Sequence, residues 1–282
     1  MKPLVSVVLG SYNRRAFLKS TLESVRKNGM DFPYEIIVVD GGSTDGSLNY
    51  LLKQKDVITI VQHNHGTFKG QTVEKRNWGY FMNLAFKAAQ GKYVLMISDD
   101  CLLVPGSIKN GVGLFEDQLS KGHRVGAVAF YWREWPMHRE FMVGLTFGKK
   151  FVNHGLYLRS VTQELNGFDE DTYHFYHADS DLCLRMWNAG YEVVECPDAY
   201  VEHFSHANMK VRLRNSAYQK EDWAAYEKRW NPVYHDSTGS AITKTFIDHF
   251  HTTDHFPWVA KMILLINKSK RVIKKFLHLS SN

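Results

Sequence analysis

Cysteine is scarce in this chain. Cys101, Cys183 and Cys196 are the only three in 282 residues, they lie far apart, and no CxxC spacing occurs. That excludes a disulfide framework and a zinc ribbon, and it fits reduced thiols in a cytosolic setting. Long apolar runs are missing too. None reaches the roughly 20 residues that a membrane-crossing helix needs. The start carries only Lys2 before a strand that stops at Gly10, which is too short for a secretory leader. No GxGxxG follows the first strand and no GxxxxGK(S/T) occurs anywhere. Both absences disfavour a dinucleotide-binding domain or a P-loop enzyme. There is no internal repeat, no low-complexity segment, and no acidic residue after Asp254.

The remaining composition is that of a folded protein, 44% hydrophobic and 23% charged, long enough for one large domain or a domain with an appendage. Lys and Arg number 35 against 29 Asp and Glu, a net charge of +6. This mild excess suits an anionic ligand or an anionic membrane surface and does not call for nucleic acid.

The organising stretch is Lys92-Tyr93-Val94-Leu95-Met96-Ile97-Ser98-Asp99-Asp100. Its apolar residues predict a short strand buried on both faces. It ends in two adjacent carboxylates, which repel each other and lose hydration when buried. A hard divalent cation, Mg²⁺ or Mn²⁺, removes that cost. The alternative is a pair of solvated loop residues, or caps for the helix after Pro105.

Around this strand the pattern alternates. Strands are predicted over 4–9, 34–39 and 57–61, and helices over 16–27, 46–52 and 73–89. The alternation predicts a mostly parallel sheet flanked by helices, with right-handed crossovers. Beyond residue 100 the pattern loosens. A helix is predicted over 106–119, a strand over 125–131, a loop over 132–139 and a strand over 151–158. A helix over 179–188 follows, then short strands over 191–194 and 199–201. Parallel strands bring the ends of the first, second and fourth to one rim, where ligands of open α/β sheets collect. Asp40, at the end of the second strand, is placed to accept hydrogen bonds from a ribose or a base, or simply to start an Asx-turn.

Four segments in this order resemble the family 2 glycosyltransferases of the GT-A fold. They are Val5-Ser6-Val7-Val8 through Ser11-Tyr12-Asn13-Arg14, Ile36 through Asp40-Gly41-Gly42-Ser43 to Gly46, Gly91 through Ser98-Asp99-Asp100 to Gly106, and Gly167 through Asp179-Ser180-Asp181 to Tyr191. Together they cover roughly residues 4 to 205. The resemblance implies an α/β fold of GT-A type with a C-terminal helical extension. It implies a catalytic domain over 1–235, with a nucleotide-binding half (1–100) and an acceptor-binding half (101–235), followed by a basic extension over 236–282.

It also implies an inverting transfer of a sugar from a nucleoside-diphosphate sugar to a hydroxyl of a glycan or lipid-linked acceptor, as in the building of bacterial-type surface polysaccharide. Ser11, Asn13, Arg14, Asp40, Gly42, Arg76 and Asp99 would line the donor site. Asp100 and His203 would hold the Mn²⁺ or Mg²⁺. Asp179 aligns with the family's general base, which takes the proton of the attacking hydroxyl. Trp132, Trp135, Arg139 and Asp181 fall on the acceptor side, where aromatic faces stack on sugar rings and arginine pairs with anions. The chain departs from the family at Ser98, the first position of the DXD-type motif, and at Ala178, where glutamate is usual. Those departures keep a non-catalytic nucleotide-sugar or glycan-binding relative as the alternative.

The stretch 258–279 has Val259, Met262, Ile263, Ile266, Ile273 and Leu277 on one helical face, and Lys261, Lys268, Arg271 and Lys275 opposite. This suits peripheral contact with the inner face of a membrane, docking on the catalytic domain, or a homo-oligomer contact.

Overall fold

A computed structural model describes residues 2–135, 138, 140–204, 213, 215–235 and 239–244, with the isolated positions 258, 262, 265 and 269. In chain order, the first elements are β1 (Val5–Ser11), α1 (Arg15–Arg26), β2 (Tyr34–Asp40), α2 (Ser47–Leu51) and β3 (Val57–Val61). A two-strand ribbon, β4 (Thr67–Phe68) and β5 (Gln71–Thr72), precedes α3 (Trp78–Ala88), β6 (Tyr93–Met96), β7 (Cys101–Leu103) and α4 (Ser107–Ser120). Then come β8 (Val125–Glu134), β9 (Phe141–Thr146), β10 (Lys149–Lys150), β11 (Gly155–Leu158), α5 (Arg159–Glu164) and α6 (Ala178–Asn188). The last are β12 (Glu192–His203), α7 (Gln219–Tyr234) and β13 (Ser240–Lys244).

The main sheet runs β10-β9-β8-β11-β6-β1-β2-β3. Its first half, β6-β1-β2-β3, is parallel. Val5, Val7, Val8 and Leu9 of β1 and Ile36 to Val39 of β2 are fully buried, as strands covered on both faces must be. Beyond β6 the sheet turns mixed. β11 lies antiparallel between β6 and β8, and β12 runs parallel to β8 and antiparallel to β7. One core layer lies under α1 and α4, the other under α3 and α6.

Boundaries shift for local reasons. The helix expected over 73–89 starts only at Trp78, because the Asn77 side chain caps it by accepting the Tyr80 N–H at 2.8 Å. Trp132 to Glu134, expected in a loop, extend β8. There Arg133 is held by two buried bonds to Glu202 of β12, at 2.7 and 2.6 Å. The two short strands expected after Gly190 are one strand, β12, irregular between Cys196 and Tyr200. Residues 240–244, expected in a helical extension, form β13 and pair with β9. The segment 258–279 lies outside the described residues, except for Trp258, Met262, Leu265 and Ser269.

Candidate active site

A cleft of about 620 Å³ opens beyond the carboxyl ends of β1 and β6. Ser11, Tyr12, Arg14 and Gly41 line one side. Met96 to Asp99 make its floor, with Asn153 beside them, and Arg76, Asn77 and Trp78 make a second wall. Glu170, Asp171, His174 and Phe175 continue that wall, joined to it where the Trp78 N–H donates to the His174 carbonyl at 3.4 Å.

The floor carries the acidic corner. After β6 the chain turns sharply, with the Cys101 N–H on the Ser98 carbonyl at 3.3 Å. This turn leaves Asp99 and Asp100 only 3% and 2% exposed. One guanidinium nitrogen of Arg14 donates to Asp99 at 2.9 Å and to Asp100 at 2.8 Å. Burial pushes Asp99 upward, and Asp100 adds to that, while Arg14 pulls against it. Burial opposes ionisation of Asp100 too, yet Arg14 and then His203 hold it below the usual carboxylate range. His203 Nε2 stands 3.4 Å from Asp100 Oδ1.

Among the described residues, Asp99 Oδ2, Asp100 Oδ1 and His203 Nδ1 are buried without a hydrogen-bond partner, Asp100 Oδ1 having only the 3.4 Å approach of His203 Nε2. Leaving such atoms unpaired costs about 1–3 kcal/mol each. Two carboxylate oxygens and an imidazole nitrogen left over at one corner fit a divalent cation by donor type. Ser98 brings no carboxylate to that set.

At the end of β2, Asp40 starts the Asx-turn. Its Oδ1 accepts the N–H groups of Gly42 at 2.9 Å and Ser43 at 2.7 Å, an Asx-turn. Its Oδ2 is buried and unpaired. Gly42 has φ +84°, and a Cβ there would meet His63 Nδ1 at 2.6 Å, so only glycine fits. Asn13 points away from the cleft. Its Oδ1 accepts the Thr44 N–H at 2.7 Å and so ties the two loops together. Arg76 lies on the cleft wall, paired with Glu74 at 2.8 Å and packed over the Tyr80 ring.

Asp179 sits in the first turn of α6, partly buried and away from the cleft wall itself. Four residues on, Cys183 Sγ accepts the N–H of Val152, the neighbour of cleft-lining Asn153. The Ser180 N–H donates to Asp179 at 2.8 Å. Burial nevertheless pushes the carboxyl up to about 6.

Asp181 is a correction. It is fully buried, and its oxygens accept from Tyr173 at 3.1 Å, Arg185 at 2.8 Å, Arg229 at 2.9 Å and Trp230 at 3.0 Å. It holds α7 against α6 and has no oxygen to offer an acceptor. Trp135 is likewise buried, against Phe204. Trp132 is half-buried, edge-on to His203 and His154. Arg139 lies outside the described residues.

The model of the family described as Glycosyl transferase family 2 matches residues 6–181, more than half of the chain. The chain belongs to glycosyl transferase family 2. Among relatives, it is 24% identical over 221 residues to the O-antigen chain rhamnosyltransferase RfbN of Salmonella typhimurium, covering 71% of this chain and 66% of that one. It is 31% identical over 104 residues to the putative teichuronic acid biosynthesis glycosyltransferase TuaG of Bacillus subtilis, covering 35% and 36%. It is 27% identical over 118 residues to the poly(ribitol-phosphate) beta-N-acetylglucosaminyltransferase TarS of Staphylococcus aureus, covering 41% and 19%. The chain thus spans less than two thirds of the length of these relatives.

Among solved structures, the fold is similar to that of the mannosyltransferase PcManGT of Pyrobaculum calidifontis in complex with GDP-Man and Mn²⁺. The TM-score is 0.59 at 20% identity, covering 83% of this chain and 69% of that one. It is similar also to S. aureus TarS 1-349 in complex with UDP-GlcNAc, with a TM-score of 0.53 at 19% identity, covering 72% and 58%. The fold is GT-A.

Within this family frame, the cleft holds residues that sequence reasoning missed. Tyr12, in the cleft lining, stacks obliquely on His65, their ring centroids 4.4 Å apart. The polar loop with His63 and His65 was a visible signal for it. Glu170, His174 and Phe175 reach the cleft because the buried Asp222 of α7 accepts the N–H groups of residues 174, 175 and 176 at 2.8, 3.0 and 2.8 Å. Nothing in the spacing pairs positions so far apart.

Proposed function

We propose that this chain transfers a sugar from a nucleoside-diphosphate sugar to an acceptor hydroxyl, with inversion, in the building of a polysaccharide. The observation that carries the reading is one set of buried atoms without partners: Asp40 Oδ2, Asp99 Oδ2, Asp100 Oδ1 and His203 Nδ1. They fall at strand ends beside a cleft of nucleotide-sugar size, which is what a built but unsatisfied binding site looks like.

The nucleoside stacks against Tyr12, with Asp40 as its hydrogen-bond acceptor. Arg76 supplies positive charge on the donor side. Asp99, Asp100 and His203 hold a divalent cation, which would supply charge neutralisation for the leaving diphosphate. Arg14 favours ionisation of both carboxylates and fixes them in place. Asp179 takes the proton of the attacking hydroxyl, and its raised affinity for a proton suits a general base. The loop 170–175 shapes the acceptor side.

Screening UDP-, GDP-, dTDP- and CMP-sugars by thermal shift, with and without Mn²⁺, tests this reading. One donor should raise the melting temperature, and more so with the cation. If none of them binds with either cation setting, the donor reading fails. Binding of a donor without transfer to any acceptor would instead favour the non-catalytic alternative.

A peripheral membrane role accompanies this reading. Trp258, Met262 and Leu265 stand exposed on helical backbone at one-turn spacing. Sedimentation with anionic liposomes at low and high salt tests it, and no binding at low salt would end the idea.

A further inference from the structure

The acidic corner has a second face, with different chemistry. Cys101 opens β7, and β12 runs antiparallel beside it with His203 directly opposite Cys101. Paired residues in such a ladder carry their side chains to the same face. His154 enters from the residue before β11, fixed by the Phe130 N–H on its carbonyl at 2.9 Å. Two strands and the residue leading into a third thus deliver one thiol and two imidazoles to one point. Cys101 Sγ lies 3.6 Å from His154 Nε2, and the rings of His154 and His203 stand 5.0 Å apart at 70°. One ligand atom from each of the three lies within 4.8 Å of the other two.

Two further observations point to a ligand at that place. Cys101 and His154 are 0% and 2% exposed, so both are committed to the interior. His203 Nδ1 is buried with no hydrogen-bond partner among the described residues. The Trp132 ring stands edge-on to both histidines, with centroids 6.3 and 5.9 Å away.

We propose that Cys101, His154 and His203 form a soft-ligand metal site that takes Zn²⁺, with solvent as its fourth ligand. The donor set is what distinguishes it from the cation site of the transfer reaction. Thiolate and imidazole select Zn²⁺, whereas Mg²⁺ and Mn²⁺ select carboxylate and phosphate oxygens. Tetrahedral zinc with Zn–S of about 2.3 Å and Zn–N of about 2.0–2.1 Å places its ligands about 3.3–3.7 Å apart, so only a small contraction completes the site. On binding, the Cys101 S–H bond breaks, its proton leaves to solvent, and the Zn–S bond forms. His203, whose side chain is 18% exposed, is the entry point. The site shares His203 with the cation site proposed for transfer, so the two ions exclude one another there, and the test below, run with no donor or acceptor, reads the zinc site alone.

The test uses the full chain, reduced and metal-free, titrated with Co²⁺ as a spectroscopic stand-in for zinc. A sulfur-to-cobalt charge-transfer band in the near ultraviolet is expected, together with the visible bands of tetrahedral Co²⁺. One equivalent of Zn²⁺ should bleach both. Cys101→Ser should lose the charge-transfer band, and His154→Ala should weaken zinc binding tenfold or more. No charge-transfer band in the wild-type chain overturns the proposal. So does a band unchanged in Cys101→Ser, since it would then arise from Cys183 or Cys196. If Cys101→Ser does not fold, His154→Ala decides, and wild-type zinc affinity in that variant overturns the proposal.

Discussion

Arg14 and Asp100, 86 positions apart in the chain, meet at 2.8 Å beside the cleft floor. The same guanidinium nitrogen also holds Asp99, and the two carboxylates raise the arginine's affinity for its proton although burial works against it. Arg14 therefore supplies the positive charge that lets a buried acidic pair exist. Removing one member of a buried ion cluster costs about 3–5 kcal/mol, because the other charge is stranded. Arg14→Ala should lower the metal-free melting temperature by several degrees. Mn²⁺ should then raise it further in the variant than in the wild type, since the cation replaces the missing charge. Equal Mn²⁺ shifts in the two proteins would show that the cation does not bind at this corner.

Asp179 gives a prediction in which stability and activity part company. Burial raises its pKa from the usual 3.8 to about 6, so the folded protein holds this proton more tightly than the unfolded chain does. The stabilisation that follows is complete below pH of about 4 and lost as pH rises through about 6. At pH 7 the ionised carboxylate is a net cost, on the order of 3 kcal/mol. Asp179→Asn should therefore melt at a higher temperature at neutral pH and transfer sugar about 10²–10⁴-fold more slowly, with donor affinity unchanged. The wild-type rate should be flat above pH of about 6 and fall about tenfold per unit below it. A variant that keeps full activity removes Asp179 from the base role.

These two aspartates also show what a sequence reveals. The strand before Asp99 was legible because five apolar residues end abruptly in two carboxylates, a local pattern. The parallel half of the sheet was legible for the same reason. Arg14 was assigned to the donor through the resemblance, but its grip on Asp99 and Asp100 depends on β1 and β6 lying side by side, which no local pattern encodes. Asp179 and Asp181 stand two positions apart with near-identical local context. Only tertiary packing separates them, because Arg229 and Trp230 of α7 arrive on Asp181 and not on Asp179. The turn after Cys196 and the capture of residues 174–176 by Asp222 were illegible for the same physical reason.

Asp181 should accordingly behave as a structural residue. Its buried oxygens satisfy Tyr173, Arg185, Arg229 and Trp230, so Asp181→Asn leaves two guanidinium partners short of a charge. A loss of about 3 kcal/mol or more is expected, read as a lower denaturation midpoint. At a temperature where the variant is still folded, its KM for acceptor should match the wild type. A raised acceptor KM with unchanged stability would restore Asp181 to the acceptor site.

Asp222 acts on the cleft through backbone alone. It is fully buried in the first turn of α7 and accepts three consecutive N–H groups, those of residues 174 to 176. Charge-assisted bonds of this kind are worth about 1.5–3 kcal/mol each, and they fix the loop that presents His174 and Phe175 to the cleft. Asp222→Asn keeps the size of the side chain but turns an amide N–H toward a backbone N–H, so at least one bond is lost. The melting temperature should fall, and KM should rise about tenfold while kcat changes less, because the loop shapes binding. Asp179→Asn loses kcat with binding intact, and Asp222→Asn loses binding with kcat largely intact. Steady-state kinetics on the two variants side by side therefore separates the group that moves the proton from the group that positions the wall. The same kinetic signature in both would mean that the loop and the first turn of α6 work as one unit.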